Sequence, residues 1–285
     1  MLGNLLKNRL WLTVLMLLLA LIYLFPMVFV ICNSFMSKNE VVSNYTISHS
    51  NAGGSIRLRL IPEIVSLEQY YNVFILKYDY LFYFWNSALL VVPIVAGQLI
   101  VSIFAAYAFA KLRFRFRDQL FFAYIVAMMM PFQATLVPNY IMSSNLGILG
   151  GRISVILPGI FGAFGVFLLR QFMCYIPDEY IEAALVDGAN HLRILFEIAL
   201  PLVRTGLAAM VILLVIDNWN MVEQPLIFLD NFKEFPLSIV LSDINNTEKG
   251  IVFAASVIYM VPMLLIFLYG EKYIVEGIQL SGLKA

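Results

Sequence analysis

At 285 residues, the chain has room for one compact domain. Hydrophobic residues make up 62% of it and charged residues only 13%, with a mean hydropathy of +0.88. A water-facing surface ordinarily carries about 25% charged residues, so a soluble globular protein is excluded and most of the surface faces lipid. The formal net charge of +0 gives no support for a nucleic-acid partner.

A helix rising about 1.5 Å per residue crosses a hydrocarbon core of about 30 Å in about 20 mostly apolar residues. The first such run is residues 10–31, with Lys7 and Arg9 ahead of it. An export signal has an apolar core of about 7–15 residues, which this run exceeds. No small-residue cleavage site follows, and Phe29-Val30-Ile31 before Cys32 is too bulky for lipoprotein processing, so an uncleaved anchor helix is expected. Residues 33–79 form a loop long enough to fold over the mouth of the protein. Apolar runs follow at 81–110, 119–142, 153–169 and 251–269, while 205–229 is apolar in its first half and polar in its second. Pro26, Pro93 and Pro131 lie inside runs, where neighbouring helices can satisfy a freed carbonyl, and small residues dot the spans as close packing requires. The expected fold is an all-α integral membrane protein of about six transmembrane helices, one domain with a C-terminal tail at 271–285.

Basic residues of the short loops set the orientation. Lys111, Arg113, Arg115 and Arg117 crowd the loop after the second run, whereas the next connection, 143–152, holds Arg152 alone. The first loop is therefore expected in the cytoplasm and the second outside. Both termini then fall in the cytoplasm, in line with Lys7 and Arg9 at one end and Lys272 and Lys284 at the other, and 33–79 is external. Lys38, Arg57, Arg59 and Lys77 in that loop are a mild exception, but long loops report orientation poorly.

The two cysteines, Cys32 and Cys174, and the two histidines, His49 and His191, fall on opposite faces in this topology, which leaves no disulfide and no metal cluster to expect. G-x-x-x-x-G-K-[ST], H-E-x-x-H and G-x-S-x-G are all absent, so neither phosphate binding nor catalysis is expected of this chain alone.

The connection 171–204 is too long for a simple turn and too apolar for a solvated one. Pro177, Asp178 and Glu179 suit a helix start. Ile181, Ala184 and Leu185 follow on one face, and Gly188 ends that helix. Asn190 can cap a second helix, with a stripe of Leu192, Leu195, Phe196 and Ala199, closed by Pro201. Periodicity alone suits a hairpin resting on lipid headgroups equally well. The residues themselves carry more: Glu182-Ala183-Ala184, three residues, Gly188, nine residues, then Ile198-Ala199-Leu200-Pro201. This resembles the coupling-loop signature of the permeases of bacterial ABC importers, and Asp187 and Ala189 around the glycine agree with its sugar-permease form. Trp219-Asn220 with Pro225-Leu226-Ile227-Phe228-Leu229 resembles the same branch. The ending Gly277-Ile-Gln-Leu-Ser-Gly282-Leu283-Lys284-Ala285 resembles the maltose-type G subunit. The resemblance runs from about Leu81 onward; the external loop departs from it by an insertion around 42–60.

This resemblance implies a type I importer fold and a non-catalytic subunit in the bacterial cytoplasmic membrane, working by alternating access. Its partners would be a second homologous permease, a pair of ATPase subunits that bind the ATP and Mg, an external solute-binding protein, a carbohydrate and the surrounding lipid. Glu182, Ala183, Ala184, Asp187 and Gly188 would couple to the ATPase. A non-sugar solute, such as a glycerophosphate or an amino acid, is the alternative. A secondary carrier is the competing class, though no inverted repeat of broken segments is visible.

Asp217, Asn218, Asn220, Glu223 and Gln224 interrupt an apolar run, with Trp219 among them. A mid-span carboxylate costs about 2.5–3.5 kcal/mol and so faces a cavity or a partner. These residues either line a solute path, with Trp219 stacking on a sugar ring, or simply pair with another helix or water; both readings stand at this point. Phe104, Tyr107, Ala108 and Met128–Met130 read as packing, and the basic loop 111–117 as a topology determinant.

Overall fold

The computed structural model describes residues 2–45, 59–242 and 249–282. His49, Arg57, most of the insertion and the final residues Leu283, Lys284 and Ala285 lie outside them. Among the described residues every regular element is a helix, and the one β-bridge joins Gly150 to Leu229. The chain forms two compact units: residues up to Phe82 with Val240–Val261, and Tyr83–Ile239 with the residues from Pro262 onward.

In the first unit, α1 (Leu2–Ser34) exposes every side chain from Trp11 to Pro26, as a helix apolar on all sides does when lipid is its solvent. Its end is tied down by polar bonds. Asn33 donates to the Phe29 carbonyl at 2.7 Å and accepts from the Tyr45 hydroxyl at 2.6 Å, and Ser34 bonds the Tyr70 hydroxyl at 2.8 Å. Tyr45 closes α2 (Lys38–Tyr45) and meets Phe29 and Phe253 edge-on over buried Met36 and Val41. A short helix, α3 (Glu68–Tyr71), completes the loop.

The second unit is built on α4 (Asp79–Lys111), which continues as one helix through Pro93. The next apolar run does not cross as one helix. It divides into α5 (Arg117–Met128) and α6 (Phe132–Asn145), bent by 101° at a break that ends in Pro131. Pro131 has ψ 139° and stands as the N-cap of α6, so its missing N–H costs nothing there. The helices α7 (Arg152–Ile160) and α8 (Ala163–Cys174) together form a span of 23 residues. Then come α9 (Asp178–Val186), α10 (His191–Leu202) and α11 (Arg204–Trp219), with an 80° bend between the last two. The fifth run also stops early: α11 ends at Trp219, and α12 (Glu223–Phe228) begins only after Asn220, Met221 and Val222. After α13 (Leu237–Ser242), α14 (Lys249–Gly282) continues as helix through the region expected to be a tail. No proline follows Pro262 to stop it, and Gly270 brings it against Ile212, whose Cδ1 would sit 2.2 Å from an added Cβ. Among the described residues, four helices can cross a membrane by length and composition, or up to six if each bent pair is one span.

The core of this unit sits where α4 meets α7 and α12. Leu90, Ile94, Val155, Phe228 and Leu229 are buried together. Small residues let α8 close on its neighbours, since a Cβ on Gly165 would meet Ser102 Oγ at 2.4 Å and one on Gly206 would meet the Phe172 ring at 2.4 Å. At the Arg152 end, Asn86 donates to the Lys233 and Phe235 carbonyls at 2.6 and 3.1 Å and accepts from Arg152 at 2.9 Å. These bonds pin the 229–236 connection to α4.

Candidate functional site

The stretch 178–202 folds as two helices meeting in an elbow at Gly188. Pro177 sets the extended entry to α9, and Asp178 and Glu179 occupy its first turn, where negative charge favours the exposed amides. The helix closes on a glycine in the left-handed region, with φ +81°. The Gly188 amide donates to the Leu185 carbonyl at 3.0 Å and the Ala189 amide to the Ala184 carbonyl at 2.9 Å. This double closure satisfies carbonyls that the helix end leaves free. Asn190 then caps α10, its side chain accepting from the Arg193 amide at 2.8 Å.

Of the residues expected to couple, Glu182, Ala183, Asp187 and Gly188 are exposed and neighbour one another on the outer side of the elbow. Ala184 is buried and belongs to the inner side with Ile181. The second stripe differs from expectation. Ile194, Leu195 and Ala199 are buried, whereas Leu192 and Phe196 are 58% and 54% exposed. A π-helical turn at Leu195–Ala199 winds wider than a regular 3.6-residue helix and shifts Phe196 away from Leu195 and Ala199. Leu185, Leu192 and Val186, the last 87% exposed, leave apolar surface around the glycine.

Two side chains of α4 hold the elbow from beneath. Lys111 donates to the Ile176 carbonyl at 2.5 Å and to the Asp178 carboxylate at 2.6 Å, and the Tyr107 hydroxyl bonds His191 Nδ1 at 3.1 Å. The Lys111 hydrogen bond, followed by its charge, holds the Asp178 carboxyl below its usual range. Close by, the Arg170 guanidinium lies 3.8 Å over the Phe121 ring and donates to the Phe109 carbonyl at 3.4 Å, linking α8, α5 and α4. Sequence reasoning missed the roles of Lys111, Tyr107 and His191; the i, i+4 spacing of Tyr107 and Lys111 on one helix was the only signal available.

The polar residues of the fifth run do not converge on one site. Asp217, Asn220 and Glu223 are exposed, and Asn218 is half-buried. Asn218 and Asn220 donate to the Leu214 and Ile216 carbonyls, each at 2.8 Å, which spends their amides on the end of α11. Trp219 is only 5% exposed and packs edge-on against Phe84, with ring centroids 5.4 Å apart. In this conformation the helix that ends beside it turns the indole into the core and leaves no face of it open. Glu223 accepts from Gln133 Nε2 at 3.3 Å. Gln133 was not singled out from sequence, yet both residues stand just after the breaks that interrupt their runs, one in α6 and one in α12.

A family model for the inner-membrane component of binding-protein-dependent transport systems matches residues 76–272. The chain belongs to that family. As such a permease component it is a multi-pass inner-membrane protein, the non-catalytic part of a system that also needs an ATPase and a binding protein. The permease is 30% identical over 271 residues to the arabinooligosaccharides transport system permease protein AraQ of Halalkalibacterium halodurans, covering 93% of both chains. It is also 31% identical over 198 residues to the sn-glycerol-3-phosphate transport system permease protein UgpE of Pectobacterium atrosepticum, covering 68% of this chain and 70% of that one. Among solved structures it resembles a bacterial ABC transporter involved in the import of the acidic polysaccharide alginate. That match has a TM-score of 0.79 and 25% identity, covering 94% of this chain and 96% of the other.

Proposed function

We propose that this permease imports an oligosaccharide by alternating access, paired with a second homologous permease and driven by two ATPase subunits that grip its Gly188 elbow and hold the ATP and Mg. The observation that carries the reading is the outer side of the elbow. Glu182, Ala183, Asp187 and Gly188 stand exposed there beside apolar Leu185, Val186 and Leu192, a small-residue surface that another protein's cleft can enclose. Glu182 offers that cleft a carboxylate. The elbow and the Lys111–Arg117 loop lie on one side of the membrane, tied through the Lys111–Asp178 contact. That side is the cytoplasm, where both termini also lie.

An oligosaccharide is favoured by the relative matched along nearly its whole length. The path candidates add a reason of their own. Asp217 and Glu223 stand exposed with their carboxylates, and like charge repels a phosphate or a uronate but not a neutral, hydroxyl-rich solute. The test is ATP hydrolysis by the reconstituted complex, measured with binding protein loaded with neutral oligosaccharides or with glycerol phosphate. Stimulation by a neutral oligosaccharide is the expected result, and stimulation by glycerol phosphate alone would replace the solute while leaving the importer class in place.

A further inference from the structure

Lys111 is out of place for a residue whose task is to sit among headgroups. Its side chain is only 4% exposed, although a lysine that fixes topology keeps its ammonium in water. Burying that charge is unfavourable unless partners meet it, and here two do. One is the Ile176 carbonyl, just past the end of α8; the other is the carboxylate of Asp178, the first residue of α9. One turn earlier, Tyr107 is 4% exposed and its hydroxyl meets Nδ1 of His191, the first residue of α10, with the two rings in edge contact at 6.1 Å. Residues at i and i+4 project from one face of a helix. That single face of α4 therefore grips the starting residue of each helix flanking Gly188.

We propose that Tyr107 and Lys111 are positioning residues that carry movement of the Gly188 elbow into α4, and so join the docking of the ATPase to the opening of the path. The proposal rests on the docking role given above. A displacement of the elbow either drags the end of α4 with it or breaks both grips, because no slack intervenes between α4 and the first residues of α9 and α10. The Arg170 contacts to Phe109 and Phe121 extend the same attachment to α8 and α5, so three helices follow the elbow together. On the elbow side the partners are accessible: Asp178 is 68% exposed. The buried ends belong to α4, which suits a socket that moves with the part it receives.

The experiment uses the whole importer in proteoliposomes, meaning this permease with its partner permease, the ATPase pair and the loaded binding protein. The readout is solute taken up per ATP hydrolysed. A residue that only stabilises the fold changes how much complex assembles and scales uptake and hydrolysis together, leaving the ratio alone. Lys111→Gln is expected to lower the ratio by about 5-fold or more, within the usual range of coupling between sites, and Lys111→Arg to restore most of it. Tyr107→Phe, which removes one hydroxyl and keeps the ring, is expected to lower it about 2- to 5-fold. If Lys111→Gln does not assemble, Tyr107→Phe and Lys111→Arg decide. A wild-type ratio in Tyr107→Phe, or in assembled Lys111→Gln, overturns the proposal. Failure of the docking role looks different: Glu182→Lys and Gly188→Pro then leave ATPase co-purification and ATP-driven uptake unchanged.

Discussion

At Gly188 the backbone holds φ +81° with nothing within 4 Å of where a Cβ would be. Alanine there meets no clash within the chain and costs about 1–2 kcal/mol of backbone strain, whereas proline, fixed near a φ of about −65°, cannot adopt the conformation. Gly188→Ala is therefore expected to insert normally and lower ATP-driven uptake several-fold, and Gly188→Pro to insert and abolish it, as read by membrane immunoblot beside vesicle uptake. Glu182→Lys inverts the charge offered to the ATPase and is expected to abolish uptake in the same assay; uptake at the wild-type rate would remove Glu182 from the docking surface. For Asp178 the sign runs toward acid. Its pKa is lowered by Lys111, so the contact is fully present above the ordinary carboxylate value of about 3.9 and is lost only as pH falls through the lower folded value. The ratio of Asp178→Asn uptake to wild-type uptake is accordingly expected to stay flat from about pH 5.5 to 8. Trp219 makes a different prediction, because it is a core side chain. Removing so large a buried aromatic costs about 3–5 kcal/mol, and Trp219→Ala is expected to show as lost thermal stability of the solubilised protein rather than altered solute preference.

At the scale of elements, the close approaches are where helices are least replaceable. A Cβ on Gly206 would already lie 2.4 Å from the Phe172 ring, and overpacking of this kind costs about 1–3 kcal/mol. Gly206→Leu is expected to separate α11 from α8 and lower the melting temperature, while Leu207→Ala beside it should have a smaller effect. The elbow was legible in the sequence because its determinants are local: acids at the start of α9, a glycine at its end and an asparagine before α10 all act within one turn. The breaks were not legible. Pro26, Pro93 and Pro262 sit inside continuous helices while Pro131 stands at a 101° bend, so a proline does not by itself say whether neighbours will absorb it. The π-helical turn at Leu195–Ala199 likewise leaves no mark in a 3.6-residue pattern, which is why exposed Phe196 was grouped with buried Leu195 and Ala199. Lys111 read as a topology signal because its partners lie more than 60 residues along the chain, at Ile176 and Asp178. Gln133 beside Glu223, |i−j| = 90, escaped for the same reason.

For the whole molecule, hydropathy set the class and a few motif residues set the role. A chain with 62% hydrophobic residues and 13% charge can only be solvated by lipid, and no phosphate-binding motif supplies energy for transport. The energy has to arrive through a surface, and the exposed elbow is the surface proposed for it. The most direct test is oligosaccharide uptake into proteoliposomes holding the complete importer, with ATP and binding protein each supplied or withheld, for wild-type and Gly188→Pro chains side by side. The account predicts uptake only when both are present, and none with Gly188→Pro although that chain is in the membrane. Uptake by the permease alone without ATP, or undiminished uptake with Gly188→Pro, would contradict it.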